Sequence, residues 1–277
     1  MSISAPPSLS TTTPRLIRYA LLDGVAGLAH AVSTRIGGVS AAPFAGLNLG
    51  LHVGDDPPRV LANRALVTSA LGFRPADLVL AAQIHGANVA RVSAADAGRG
   101  SLDGATAVPA ADALITATPG LLLGVLVADC APILLADPVS GAIGVAHAGW
   151  RGTAGDVAGN SVRAMVAAFG TRPDDLRALI GPSIGPADFE VGPEVTAAFR
   201  AALGPDAAGI VRPGQGDRAT VDLPEANRLL LLRAGLDPRR IQVDKASTAA
   251  QVDRFFSHRA EGGLTGRFGG FIGWPAS

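Results

Sequence analysis

Short apolar runs separated by Gly, Pro and Asp organise most of the chain, and a few stretches instead carry apolar residues at helical spacing. The runs predict strands over 29–33, 78–84, 89–93, 113–116, 121–128, 133–136, 142–146, 178–180, 241–243 and 269–274. The helical spacing predicts helices over 59–71, 153–169, 193–203 and 224–234. In the second of these, Val157, Ser161, Val162, Met165, Val166 and Phe169 trace one face. Pro193 and Pro224 fall where a first-turn proline is tolerated. Strands come in consecutive clusters as well as before helices, so the expected class is α+β with mixed or antiparallel sheets. With no repeat and no long linker, one domain is expected over 15–277. The Ser/Thr/Pro-rich residues 1–14 read as a disordered lead-in.

The stretch from 121 to 152 concentrates the chemistry. Residues 121–128 are almost continuously apolar, as in a strand buried on both faces, and Asp129 and Cys130 stand at its end. "DPVSG" (137–141) is a strong turn signal, after which the chain returns to His147. If Asp137 faces Ser140, Cys130 comes opposite His147; if Gly141 closes a four-residue loop, the two are offset by two positions on one face. Either register leaves their Cβ atoms roughly 5 to 8 Å apart, whereas a one-residue slip sends them to opposite faces. "HAGWRG" (147–152) then supplies a glycine turn leading into the helix from Thr153, whose first N–H groups suit an anion or oxyanion.

Upstream, His85 in "QIHG" ends another strand. Two imidazoles and a thiolate are a three-ligand set suited to zinc with one position left open, although separations of 45 and 17 residues are not those of a zinc finger. Scattered structural residues remain the alternative on this evidence alone.

Composition narrows the rest. The 277 residues are 48% hydrophobic but only 4% aromatic, which implies a large aliphatic core. A formal net charge of zero gives no electrostatic case for nucleic acid or an anionic membrane. One cysteine excludes an internal disulfide and fits a reducing compartment. No signal peptide or membrane-length apolar run is visible, so a cytoplasmic protein is expected.

Eight ordered motifs from about residue 28 onward resemble those of the YfiH-like family, also called polyphenol oxidase or laccase-domain proteins and more recently purine nucleoside phosphorylases. They are "STRIGGVS" (33–40), "NLGLHVGDD" (48–56), "QIHG" (83–86), "ADALIT" (111–116), "VADCAPILL" (127–135), "AHAGWRG" (146–152), "IGPSIGP" (180–186) with "FEVG" (189–192), and "FFSHR" (255–259) with "TGRFGGFI" (265–272). The resemblance implies a layered α/β/β/α fold, related in outline to Cys-His toxin deamidases. It implies zinc held by His85, Cys130 and His147. It further implies phosphorolysis of adenosine, inosine and methylthioadenosine, with adenosine deamination as a second activity and cell-wall-precursor editing in one bacterial branch. Many relatives carry another cysteine before "FFS", where this chain reads "STAAQVDRFFSHR". That removes an accessory thiol and leaves the three ligands intact.

For the remaining roles, Asp129 is a candidate proton shuttle or a turn cap. Arg35 and Arg151, each beside glycines, are candidate phosphate ligands or surface ion-pair partners. Asn48 and Gln83 are candidate base or ribose contacts. His30 reads as a packed histidine and His258 as a surface residue, while His52 suits loop ordering and substrate contact equally. His₂Cys is also the blue-copper set, but five histidines cannot furnish that centre and an imidazole-rich copper cluster together, which disfavours a multicopper oxidase. A metal-free hydrolase or deamidase, with Cys130 as nucleophile and His147 as base, uses the same residues. A non-enzymatic interaction module is the third reading, disfavoured because reactive side chains gather at glycine turns.

Overall fold

A computed structural model describes residues 13–276. The expected lead-in lies outside the described residues as far as residue 12. Thr13 and Pro14 are described and run so close to Gly37 that a Cβ there would meet the Thr13 carbonyl oxygen at 2.6 Å.

The chain begins β1 (Leu16–Ile17), α1 (Ala20–Asp23), β2 (Ala29–Ser33), α2 (Pro57–Ala70) and β3 (Leu78–Leu80). It continues β4 (Val89–Arg91), β5 (Ala113–Thr116), β6 (Leu122–Val127), β7 (Ala131–Ala136), β8 (Ile143–Ala148), α3 (Trp150–Ala154) and α4 (Val157–Phe169). Then follow β9 (Arg177–Ile180), β10 (Glu190–Val191), α5 (Pro193–Leu203), α6 (Ala207–Ile210), β11 (Val211–Pro213), β12 (Ala219–Val221), α7 (Leu223–Arg233), β13 (Ile241–Val243) and β14 (Phe268–Gly273). A five-stranded sheet has the order β1-β2-β14-β6-β3, and a six-stranded sheet the order β13-β9-β7-β8-β5-β4. Both mix parallel and antiparallel pairs.

Side-chain alternation along the strands stacks these sheets. Ile133 and Leu135 of β7 join Val157, Val162 and Met165 of α4 in one apolar cluster, while Leu134 and Ala136 face Val125 and Ile272 of the other sheet. On β6, Leu122 and Leu126 point the opposite way, onto Val67 of α2 and Leu71 just beyond its end. The result is four layers, helix, sheet, sheet and helix, as the expected α/β/β/α fold requires.

The strand expected over 78–84 stops at Leu80. Beyond it the Gln83 side chain takes over the pairing, accepting from the Leu126 N–H (2.9 Å) and donating to the Leu126 carbonyl (2.8 Å). The helix expected over 153–169 is two helices, broken where Asp156 adopts a left-handed conformation (φ 60°) and caps α4 through the Gly159 N–H. The small sheet β10-β12-β11 lies in a region read without strands, because two- and three-residue strands show no periodicity. No helix among the described residues is long and apolar enough to cross a membrane.

Candidate metal centre

Two passages of the chain from one sheet to the other, and one strand end, bring the three proposed ligands together. His85 lies between β3 of the five-stranded sheet and β4 of the six-stranded sheet; Cys130 lies between β6 and β7, which are divided in the same way. His147 is the penultimate residue of β8. The hairpin adopts the wider register: Ala136 pairs with Ile143 and Pro132 with His147, so Cys130 is offset by two positions. Asp137 sets this loop, its N–H donating to Ala142 O and its Oδ1 accepting from the Val139 and Ser140 N–H groups.

One ligand atom from each of His85, Cys130 and His147 lies within 4.8 Å of the others, the single such cluster among the described residues. The rings of His85 and His147 meet edge to face, with centroids 4.8 Å apart. Gly149 makes room for the thiol, because a Cβ there would stand 2.9 Å from Cys130 Sγ. The donor set and this clearance fit a metal of tetrahedral preference.

A residue not singled out from the sequence organises the cluster. Asp112, fully buried, accepts His147 Nδ1–H at 2.9 Å, which turns Nε2 toward the thiol. The same carboxylate accepts the backbone N–H groups of His85 (2.9 Å) and Gly86 (2.7 Å). Those bonds pin a strained turn, since His85 adopts φ 60°. Asp112 belongs to "ADALIT", and an acid at the mouth of a wholly buried strand was the available signal.

Electrostatics prime the thiol. Burial alone would raise Cys130, but facing His147 and His85 it is held well below the ordinary thiol range. His147, which burial would lower, is raised by Cys130 and Asp112.

The cluster forms one wall of a cavity of about 550 Å³ that Gln83, His52, Arg64 and Arg267 also line. Arg64 is buried and donates to the backbone carbonyls of Leu49, Gly100 and Ser101, with no carboxylate partner among the described residues. Burial lowers it to about 10. Arg267 donates to the carbonyls of Thr265 and Gly266 and is likewise without an ion pair among the described residues. Arg64 is held by neutral carbonyls, and Arg267 also feels the charges of Cys130 and Asp129 without bonding either, so both present positive charge to the cavity beside His52. Arg64, on a helix, carries no local sequence signal; Arg267 stands beside Gly266 in "TGRFGGFI", the kind of glycine neighbourhood that singled out Arg35 and Arg151, and neither was anticipated.

Four anticipated residues lie away from the cavity lining. Arg35 pairs with Glu261 at 2.9 Å and stacks on Phe256. Arg151 is exposed and stacks on Trp150. Asn48 is fully buried, linking Asp55, Gly50 and the Arg267 backbone N–H. Asp129 sits at the corner before Cys130 (φ 82°), its carboxylate accepting Thr248 Oγ1–H at 2.6 Å and the Arg259 N–H at 2.7 Å. His30 is fully buried, with Nε2 accepting the Tyr19 N–H, and His258 is exposed.

Comparison with known proteins gives the family. A family model described as multi-copper polyphenol oxidoreductase laccase matches residues 29–275. The purine nucleoside phosphorylase YlmD of Geobacillus stearothermophilus is 42% identical over 248 residues, 90% of each chain. A purine nucleoside phosphorylase of Deinococcus radiodurans is 44% identical over 246 residues, 89% of each. The crystal structure of a Bacillus licheniformis hypothetical protein, YfiH, superposes with a TM-score of 0.87 at 36% identity, covering 89% of this chain and 92% of that one. The chain belongs to this laccase-domain family, the family of the YfiH and YlmD proteins.

Proposed function

We propose that the protein is a zinc-dependent purine nucleoside phosphorylase acting on adenosine, inosine and methylthioadenosine, with adenosine deamination as a further activity. The observation that carries this reading is one cavity with a His-Cys-His set on one wall and beside it two arginines, Arg64 and Arg267, that form no ion pair among the described residues. That is where an anionic co-substrate and a neutral nucleoside can meet. The names of the relatives from Geobacillus and Deinococcus support the choice of reaction.

His85, Cys130 and His147 would hold the metal, which supplies Lewis acidity with one coordination position left open. In phosphorolysis the C1′–N9 bond breaks, a phosphate oxygen bonds to C1′, and the base leaves with the electron pair and takes a proton. Arg64 and Arg267 neutralise the phosphate and hold it against the sugar, with His52 as the third polar group of that wall. This assigns the phosphate to those arginines rather than to Arg35 and Arg151, which the fold engages elsewhere. Gln83 is committed to Leu126 by both ends of its amide, so it shapes the wall that receives the base. Asn48 acts through the Arg267 backbone, and Asp129 through the corner that presents Cys130; both are positioning residues.

Copper oxidation is the weaker reading. Besides the cluster, the remaining histidines are His30, buried against Tyr19, His52 in the cavity wall, and exposed His258, so the donors of a further imidazole-rich centre are missing. One observation favours a second reading: the depressed thiol and raised imidazole of Cys130 and His147 are also what a metal-free Cys-His hydrolase needs.

Product analysis separates these readings. Inosine with phosphate should give hypoxanthine and ribose 1-phosphate in equal amounts, and no hypoxanthine without phosphate. Free ribose, released whether or not phosphate is present, would contradict phosphorolysis.

A further inference from the structure

A second cavity, of about 560 Å³, shares no lining residue with the first. It opens where the adjacent parallel strands β9 and β13 end, and the first turn of α7, the helix preceding β13, forms part of its wall. The carboxyl ends of parallel strands beside a helix N-terminus are a recurrent place for ligands in α/β sheets. Position alone does not make a site here; the side chains do.

We propose that this cavity binds a small organic anion through a phosphate or carboxylate head held by Lys245, Arg212 and the Ser183 hydroxyl. The charges in the wall are unevenly committed. Glu225 is taken up by Arg228, which donates to both of its carboxylate oxygens, and Asp222 caps α7 by accepting the Glu225 N–H. Lys245 and Arg212 have no ion pair or side-chain hydrogen bond among the described residues, and both are exposed at the mouth. Lys245 is the only lysine in the sequence.

Ser183 supplies the independent observation. It is 1% exposed, lines the cavity, and its Oγ makes no hydrogen bond, a condition shared among the described buried side chains only with His30 Nδ1. A buried hydroxyl is costly to leave unmatched, and an anion head between it and two free cations would match it. The cavity exceeds what a bare oxyanion fills. Pro186, Pro224 and Val243 make part of its wall apolar, so the anion carries an organic body.

The single lysine allows a site-specific test. The protein is treated with pyridoxal 5′-phosphate, or with pyridoxal as the phosphate-free control, and then with borohydride. Lys245 labelling is followed by peptide mass spectrometry, with the α-amino group as internal reference. Pyridoxal 5′-phosphate should label Lys245 at least about tenfold faster than pyridoxal, the factor expected from one charge-assisted contact. Arg212→Ala, at an exposed position, and Ser183→Ala should each remove most of that advantage. Protection by ribose 5-phosphate identifies a phosphate head, and protection by succinate a carboxylate head. Equal labelling by the two aldehydes, unaffected by Arg212→Ala and protected by neither anion, overturns the proposal.

Discussion

Asp112 Oδ1 lies 2.9 Å from His147 Nδ1 and also accepts the His85 backbone N–H at 2.9 Å, so one carboxylate sets the orientation of two of the three proposed ligands. Asp112→Asn keeps the shape but gives up an acceptor oxygen, setting an amide N–H against donors. It is expected to lower metal affinity about 10- to 100-fold, the usual cost of losing a partner behind a ligand. Competition with a chelator measures this directly. Unchanged affinity would show that Asp112 matters only to the fold.

Gly149 offers a narrower perturbation. Its φ of −77° is open to any residue, so Gly149→Ala meets no backbone strain; the added Cβ meets Cys130 Sγ at 2.9 Å and His85 Cδ2 at 3.5 Å. The expected cost to stability is about 1–3 kcal/mol from overpacking, with a larger proportional loss of bound metal as the thiol is displaced. Denaturant unfolding and metal content, measured together, report the two effects. Full metal content in a folded variant would place the thiol elsewhere.

The cavity arginines make a kinetic prediction. Arg267→Met should raise KM for phosphate about 10-fold or more through loss of a charge-assisted contact, with a smaller change in KM for inosine. Arg151→Met, on an exposed side chain stacked on Trp150, should leave KM for phosphate within about twofold. The reverse pattern in initial-rate kinetics would return the phosphate to the "GWRG" turn.

His30 makes the stability of the fold pH-dependent. Burial, reinforced by Arg18, lowers its imidazole to about 4, against about 6.5 in an unfolded chain. The unfolded chain therefore binds the proton first as pH falls. His30's contribution, about 3 kcal/mol, is complete above pH 6.5 and is lost progressively toward pH 4. Urea unfolding across this window should show a shallower decline in His30→Gln, which keeps an acceptor for the Tyr19 N–H but does not titrate. Parallel declines would contradict a buried neutral His30.

What could be read from the sequence followed how local its physical cause is. The apolar runs of β6, β7 and β8 and the "DPVSG" turn are sufficient to bring Cys130, just before one arm of a hairpin, near His147 on the other arm, because strand alternation and turn chemistry act over a few residues. The choice between two registers was not readable, since it depends on how Asp137 bonds within its own loop. The break between α3 and α4 rests on the left-handed Asp156, which the helical periodicity on either side concealed. Asp112 and Arg64 were missed for a different reason. Each acquires its part from residues at least fifteen positions away: Asp112 from His85 and His147, Arg64 from Leu49 and Gly100. Arg35 attracted attention for its glycine neighbours, yet its charge is taken up by Glu261, more than two hundred residues along the chain.

The most direct test of the account is the metal content of the purified protein, wild type beside Cys130→Ala, with phosphate-dependent release of hypoxanthine from inosine assayed on the same samples. The account predicts about one zinc per chain in the wild type, as one closed three-ligand set allows, with zinc and activity lost together in Cys130→Ala and upon chelation. Full phosphorolytic activity in a preparation free of metal would contradict it and leave Cys130 to act as a nucleophile.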